Sequence, residues 1–162
     1  MAKIVDADTM FFTAFEPKVK NRFVLYIADI PAYMIKMAKR PAIAFEKLTL
    51  DHINIKRQLQ GKGEWQDIEI GLYDPIVPSA AQAVMEWVRL GHESLTGRKG
   101  YADFYKKDLT LNLLGPPGDK VEEWTLKGAY IKQAQFGDLS WADSAFVETT
   151  LTIRYDYAIL MY

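Results

Sequence analysis

The sequence predicts a mostly β fold, an antiparallel β-sandwich or barrel of about seven strands with one flanking α-helix. Three observations carry this prediction. Apolar and polar residues alternate with period two in one segment after another, as strands with a covered face require. Turn residues punctuate those segments, most plainly at Gly115-Pro116-Pro117-Gly118. One segment departs from period two and opens with helix-start chemistry. The 162 residues fit a single domain, and a composition 49% hydrophobic and 13% aromatic is enough to build a core.

Residues 1–20 contain Pro17 and mixed polarity and are expected to form an N-terminal arm. Residues 21–30 form the first strand. Phe23, Leu25 and Ile27 point one way and Val24, Tyr26 and Ala28 the other, so both faces are apolar and both should be covered. A second strand over residues 33–38 ends before Pro41. Residues 43–60 alternate over a long span, with Ile53 and Ile55 on one face and His52, Asn54 and Lys56 on the other. Gly61-Lys62-Gly63-Glu64 reads as a turn. Residues 65–73 form a half-buried strand, Ile68, Ile70 and Leu72 opposing Asp67 and Glu69. Ser79 followed by Gln82 is a capping box that starts a helix over residues 79–95. Its buried stripe is Val84, Trp87 and Val88, and Gly91 or Gly97 ends it. Leu109, Leu111 and Leu113 mark the next strand, and two more follow over residues 121–131 and 145–157. In the last, Val147, Thr149, Leu151, Ile153, Tyr155 and Tyr157 share one face.

Charge and chemistry narrow the function. The net charge of −1 hides an asymmetry: residues 1–62 hold 11 Lys/Arg and 6 Asp/Glu, and residues 63–162 hold 9 and 15. A particle with one basic and one acidic surface can stack head to tail. The absence of cysteine excludes disulfides, thiol nucleophiles and Cys-type zinc sites. No apolar run approaches about 18 residues, so no membrane insertion is expected. Asp6 and Asp8 precede only a short apolar patch, so the product is expected to be unprocessed and cytosolic when made. His52 and His92 lack metal-site spacing. Asp67 and Glu69 share a strand face, where paired carboxylates are ordinarily solvated. The run Gly97-Arg98-Lys99-Gly100 has the wrong spacing for a phosphate loop, and Asp138 and Asp143 around Trp141 lack EF-hand spacing. Lys39-Arg40 and Lys106-Lys107 are too few for duplex binding at a pI near 6.1. The expectation is a protein that is not an enzyme and holds no cofactor.

An ordered set of segments then carries a resemblance. It runs EWQDIEIGLYD with Trp65, MEWVRLG with Trp87, Tyr105-Lys106-Lys107, Lys127-Gly128-Ala129-Tyr130, Gly137-Asp138-Leu139-Ser140-Trp141 and Tyr155-Asp156-Tyr157. In this order the chain resembles the tail tube proteins of contractile bacteriophages, which are related to type VI secretion and pyocin tube proteins. Residues 1–20 and 158–162 match less well. The resemblance implies hexameric rings whose strands merge into a ring-wide β-barrel. It implies rings stacked head to tail within a sheath, baseplate or tail-completion partners, and a lumen holding a tape-measure protein and DNA without sequence-specific contact. It implies a virion tail assembled in the bacterial host cytoplasm.

Within that picture residues 43–60 are expected to form an extended hairpin or stacking arm that packs on neighbouring subunits, through Phe45, Lys47, Leu48, Leu50, Lys56, Arg57 and Leu59. Polar strand faces, Asp67 with Glu69 or His52 with Asn54, are the lumen-facing candidates. Alternatives are the tube of a phage-derived injection particle and, from another class, a monomeric small-ligand-binding β-barrel.

Overall fold

Strand-forming alternation is realised along most of the chain, and the computed structural model describes residues 16–162. In chain order the elements are β1 (Phe23–Tyr26), a 3-10 turn (Ala32–Met34), β2 (Ile35–Ala38), β3 (Ile43–His52), β4 (Ile55–Trp65), β5 (Ile68–Tyr73), α1 (Ala80–Gly91), α2 (Ala102–Tyr105), β6 (Lys107–Leu114), β7 (Lys120–Gln135), β8 (Glu148–Arg154) and β9 (Tyr157–Leu160). The fold is mostly β and antiparallel, as expected. Among the described residues nine strands stand where about seven were expected, because the runs 43–60 and 145–157 each divide in two. The expected N-terminal arm lies largely outside the described residues.

Among the described residues the main sheet has seven strands: six follow one hydrogen-bonded path, β1-β6-β7-β8-β5-β2, and β9 pairs with β7 off it. The long strand β7 serves two wings. Its first part pairs with β6 and β9, and its second part, from Tyr130, pairs with β8. Between the two parts Gly128 takes φ +65°, and the register with β6 shifts there. The Lys127-Gly128-Ala129-Tyr130 segment is therefore a kink inside a continuous strand. The last strand breaks at the same corner, at Asp156, whose N–H donates to the Lys127 carbonyl at 2.9 Å. The break turns Tyr157 outward while Tyr155 stays buried.

Leu25, Leu109, Leu111 and Leu126 from the first wing meet Ile68, Ile70, Leu72, Leu151 and Ile153 from the second in one buried cluster. Each leucine or isoleucine of this kind contributes roughly 1.5–3 kcal/mol on burial. Helix α1 adds Ala80, Val84 and Trp87 to it. The Ser79 hydroxyl accepts from the Gln82 N–H at 3.4 Å, while the Asp74 carboxylate accepts from the Ala80 and Ala81 N–H groups at 3.0 and 3.4 Å. Asp74 thus satisfies first-turn donors that the serine does not reach. The helix stops at Gly91, the earlier of the two glycine ends the sequence offered and short of 95. There Gly91 lies against the Tyr105 ring and its carbonyl accepts from the Gly100 N–H at 3.1 Å. A β-carbon at Gly91 would approach Tyr105 to 3.1 Å. The Trp87 indole N–H donates to the Tyr105 carbonyl at 2.7 Å, tying α1 to the short α2.

The first strand is shorter than expected. After Tyr26 the chain closes on itself through an Ile27–Ile30 bridge. Among the described residues one face packs into the core and the other is left more open, since Leu25 is 1% exposed and Tyr26 52%.

Candidate assembly interface

The β2–β5 ladder does not end with the sandwich. Lys39 N–H donates to the Glu69 carbonyl at 3.0 Å and Gln66 N–H to the Ala42 carbonyl at 2.8 Å, carrying the ladder into the β3–β4 hairpin. At 10 and 11 residues per strand, this arm is roughly 33 Å long at about 3.3 Å per residue. Every residue of β3 is exposed. At its base the Trp65 and Tyr155 rings meet at 6.0 Å.

Cross-strand pairing sorts the arm into two faces. Leu48 pairs with Leu59, Leu50 with Arg57 and His52 with Ile55, which places an apolar stripe around one arginine. On the other face Lys47 pairs with Gln60, Thr49 with Gln58 and Asp51 with Lys56. Phe45 shares the Lys47 side nearer the base, its ring lying across Gly63, where a β-carbon would approach to 2.8 Å. Phe45, Leu48, Leu50 and Leu59 are about half exposed, at 50, 51, 47 and 52%. The expected turn at residues 61–64 is not one: those residues lie inside β4, and the chain reverses between His52 and Ile55. The glycines instead serve a register shift beside Glu46 and the seat of the Phe45 ring.

The opposite end of the second wing, where β5 and β7 finish and β8 begins, carries a second exposed apolar surface. Leu139, Trp141 and Phe146 in the loop over residues 136–147 are 85, 108 and 86% exposed. Ile76 and Val77 extend it from the β5–α1 connection, which is joined to the loop by the Asp74 N–H donating to the Val147 carbonyl at 3.3 Å. In the sequence Asp138 and Asp143 are weighed as metal ligands and residues 137–141 as part of the resemblance, and neither points to this surface. The available signal was three large apolar residues among loop residues.

The lumen-facing candidates do not come together. His52 and Asn54 sit at the tip of the arm. Asp67 and Glu69 lie at the outer side of the second wing, where the charges are paired. Asp67 holds Lys132 at 2.5 Å and Arg154 at 3.0 Å, Arg154 also reaches Glu64 at 2.8 Å, and Glu69 holds Lys39 at 2.8 Å. The Lys132 hydrogen bond holds the Asp67 carboxyl below its usual range, against the opposing effect of burial and with Arg154 adding to it. Lys36 pairs with Glu148. Thr150, Thr152, Gln133 and Gln135 stand in register on the same side as Glu69.

The other basic pairs are also neutralised. Lys106 binds Asp156 at 2.9 Å, Lys107 binds Asp29, and Arg40 reaches Glu122 at 3.4 Å. Burial raises the Glu122 carboxyl, but Lys18, the Trp124 indole N–H and Arg40 outweigh it and hold the group low. Among the described residues no group of three or more metal-ligating side chains converges. The space between the wings is filled: Leu25, Ile70, Leu72, Leu109, Leu126 and Leu151 are at most 1% exposed. A small-ligand chamber of the lipocalin kind would need that space open.

Solved structures that share this architecture include the following three. A chain of the anti-feeding prophage tube terminating cap aligns with TM-score 0.74 and 16% identity, over 96% of this chain and 99% of that one. A chain of the sheath-tube complex of the extracellular contractile injection system PVC, in its extended state, aligns with TM-score 0.71 and 14% identity over 97% and 99%. Hcp1 from Flavobacterium johnsoniae aligns with TM-score 0.55 and 13% identity over 86% and 94%. At these identities the likeness is one of fold. No family model and no curated protein matches the sequence.

Proposed function

We propose that this chain is a structural tube protein, without enzymatic activity, which closes into hexameric rings that stack into the inner tube of a contractile phage tail. The observation that carries the reading is the β3–β4 arm: a hairpin that leaves the body and keeps a leucine stripe about half exposed along its length. Soluble monomers rarely keep such surface uncovered, and a long hairpin alone in water is marginal without something to lie on. The fold shared with chains from contractile injection particles supports the same reading.

Ring closure deals with the sheet edges. Strand β2 ends the path on one side and has β5 as its only strand partner among the described residues. Such an edge invites pairing with another chain, and closing the sheet into a ring-wide barrel removes it. The contact between rings is heterologous, so it repeats and builds a filament. In this arrangement the outer side of the second wing lines the lumen. Its threonines, glutamines and paired charges offer no unmatched cation to hold phosphate, as a conduit for DNA requires. The outside of the tube meets the sheath, and the ends meet baseplate and terminator proteins. The tape-measure protein and then DNA occupy the lumen, and assembly takes place in the host cytoplasm before the virion is complete.

Electron microscopy and sedimentation of the purified chain test the proposal. The expected result is rings of six and tubes at high concentration; uniform monomers there would overturn it. A sheath gene beside capsid and terminase genes identifies a phage, and a sheath gene without them identifies an injection particle of the pyocin kind.

A further inference from the structure

We propose that the apolar stripe of the β3–β4 arm docks on the loop over residues 136–147 of a second copy of the chain, stacked end-on. This rests on the tube reading and names the receiving surface, which that reading leaves open.

Position comes first. The arm prolongs the β2–β5 ladder beyond the end of the second wing where β5 begins. The loop joins β7 to β8 at the other end of the same wing. The two surfaces are therefore out of each other's reach within one chain, and a copy displaced along the strand direction brings them together. That is a head-to-tail contact, which continues indefinitely.

Chemistry agrees. The arm brings leucines 48, 50 and 59, and the loop brings Leu139, Trp141 and Phe146, so each side supplies the apolar cover the other lacks. Exposed tryptophan is a preferred anchor in such contacts. Over residues 43–65 the arm holds Lys47, Lys56, Arg57 and Lys62 against Glu46, Asp51 and Glu64, a balance of +1, and Arg57 is the charge on the stripe itself. Residues 136–147 hold Asp138 and Asp143 and no cation, a balance of −2. Arg57 stands within the apolar stripe, opposite Leu50, where it is placed to meet those carboxylates as the leucines cover the tryptophan. No other pairing is needed for the ends of the wing to be complementary in both apolar surface and charge.

Charge reversal with rescue tests the pairing. One variant carries Lys56→Glu and Arg57→Glu, taking the arm from +1 to −3. A second carries Asp138→Lys and Asp143→Asn, taking the loop from −2 to +1. Asparagine keeps the acceptor that Asp143 offers to the Ala145 N–H at 3.0 Å. A third carries all four changes, and a fourth, Trp141→Ser, removes the anchor without altering charge. Each is checked for folding by circular dichroism and melting, then for rings and tubes by microscopy. We expect the two charge variants and Trp141→Ser to form rings but lose tubes, and the fourfold variant to regain them. Tubes of ordinary length from the loop variant and from Trp141→Ser overturn the docking, as does a fourfold variant no better than its parents. If the unaltered chain forms tubes in those cases, the tube reading stands and only the receiving surface is wrong. If the unaltered chain forms neither rings nor tubes, both fall.

Discussion

Gly128 lies at φ +65°, a conformation that costs a residue with a β-carbon about 1–2 kcal/mol. A β-carbon there would also come within 2.1 Å of an Asp156 carboxylate oxygen, which Lys106 holds in place. The Gly128 N–H donates to Asp108 at 3.2 Å, and Lys127 binds the same carboxylate at 2.6 Å. Two lysine–aspartate pairs thus flank the one point where β7 passes between wings. Gly128→Ala is expected to destabilise the chain by about 1–3 kcal/mol, read as a fall of several degrees in Tm. An unchanged Tm would show that the kink relaxes without cost. In the sequence Gly128 falls inside the strand expected over residues 121–131, and a glycine there permits a straight strand and a kink equally. Which one forms depends on β6, β8 and β9 being present to pair with both sides of it.

At the scale of elements, the arm and the helix illustrate opposite situations. Helix α1 is held by the core contacts of Ala80, Val84 and Trp87, by its caps and by the Trp87 hydrogen bond to Tyr105, all within the chain. The arm gives almost nothing to the body, because its side chains face solvent on both sides. Removing residues 45–58, which joins Ala44 to Leu59 next to the Ala44–Glu64 pair, is therefore expected to leave the Tm within a few degrees of the intact chain. In the proposed tube it also abolishes polymerisation. Sedimentation after a melting experiment checks both halves; loss of folding, or tubes from the shortened chain, would count against the assignment. Alternation along residues 43–60 was legible, but the position of the reversal was not. Gly61 and Gly63 carry a stronger turn signal than Ile53-Asn54, and only the pairing of Leu48 with Leu59 fixes the register that moves the turn to the tip.

For the whole molecule, the relevant quantity is how charge is distributed once neighbours are paired. Asp67 and Glu69 read in the sequence as a free acidic face. In the fold they neutralise Lys132, Arg154 and Lys39. Reversing both to lysine would leave Lys132 and Lys39 unmatched, keep Arg154 on Glu64 alone, and add two more cations. In the proposed tube this turns a neutral wall into one that retains phosphate. DNA ejection from particles with assembled tubes is then expected to slow strongly, and more so at low salt, where screening is weakest. Unchanged ejection from intact particles would remove this face from the lumen.

By itself the sequence determined the fold class, the helix start at Ser79 and the inward residues of β5, β6 and β8. These depend on neighbours in sequence, on the period of alternation and on cap chemistry, so they are written locally. The tertiary structure decided what depends on distant partners. It set the sharing of β7 between two wings, the outward turn of Tyr157, and the pairing of Asp67. It also placed the arm and the Trp141 loop at opposite ends of one wing. The physical reason is that strand pairing and ion pairing are contacts between residues up to about a hundred positions apart, as Arg40 with Glu122 and Arg154 with Glu64 show. No local pattern states which of many compatible partners the folded chain will bring alongside.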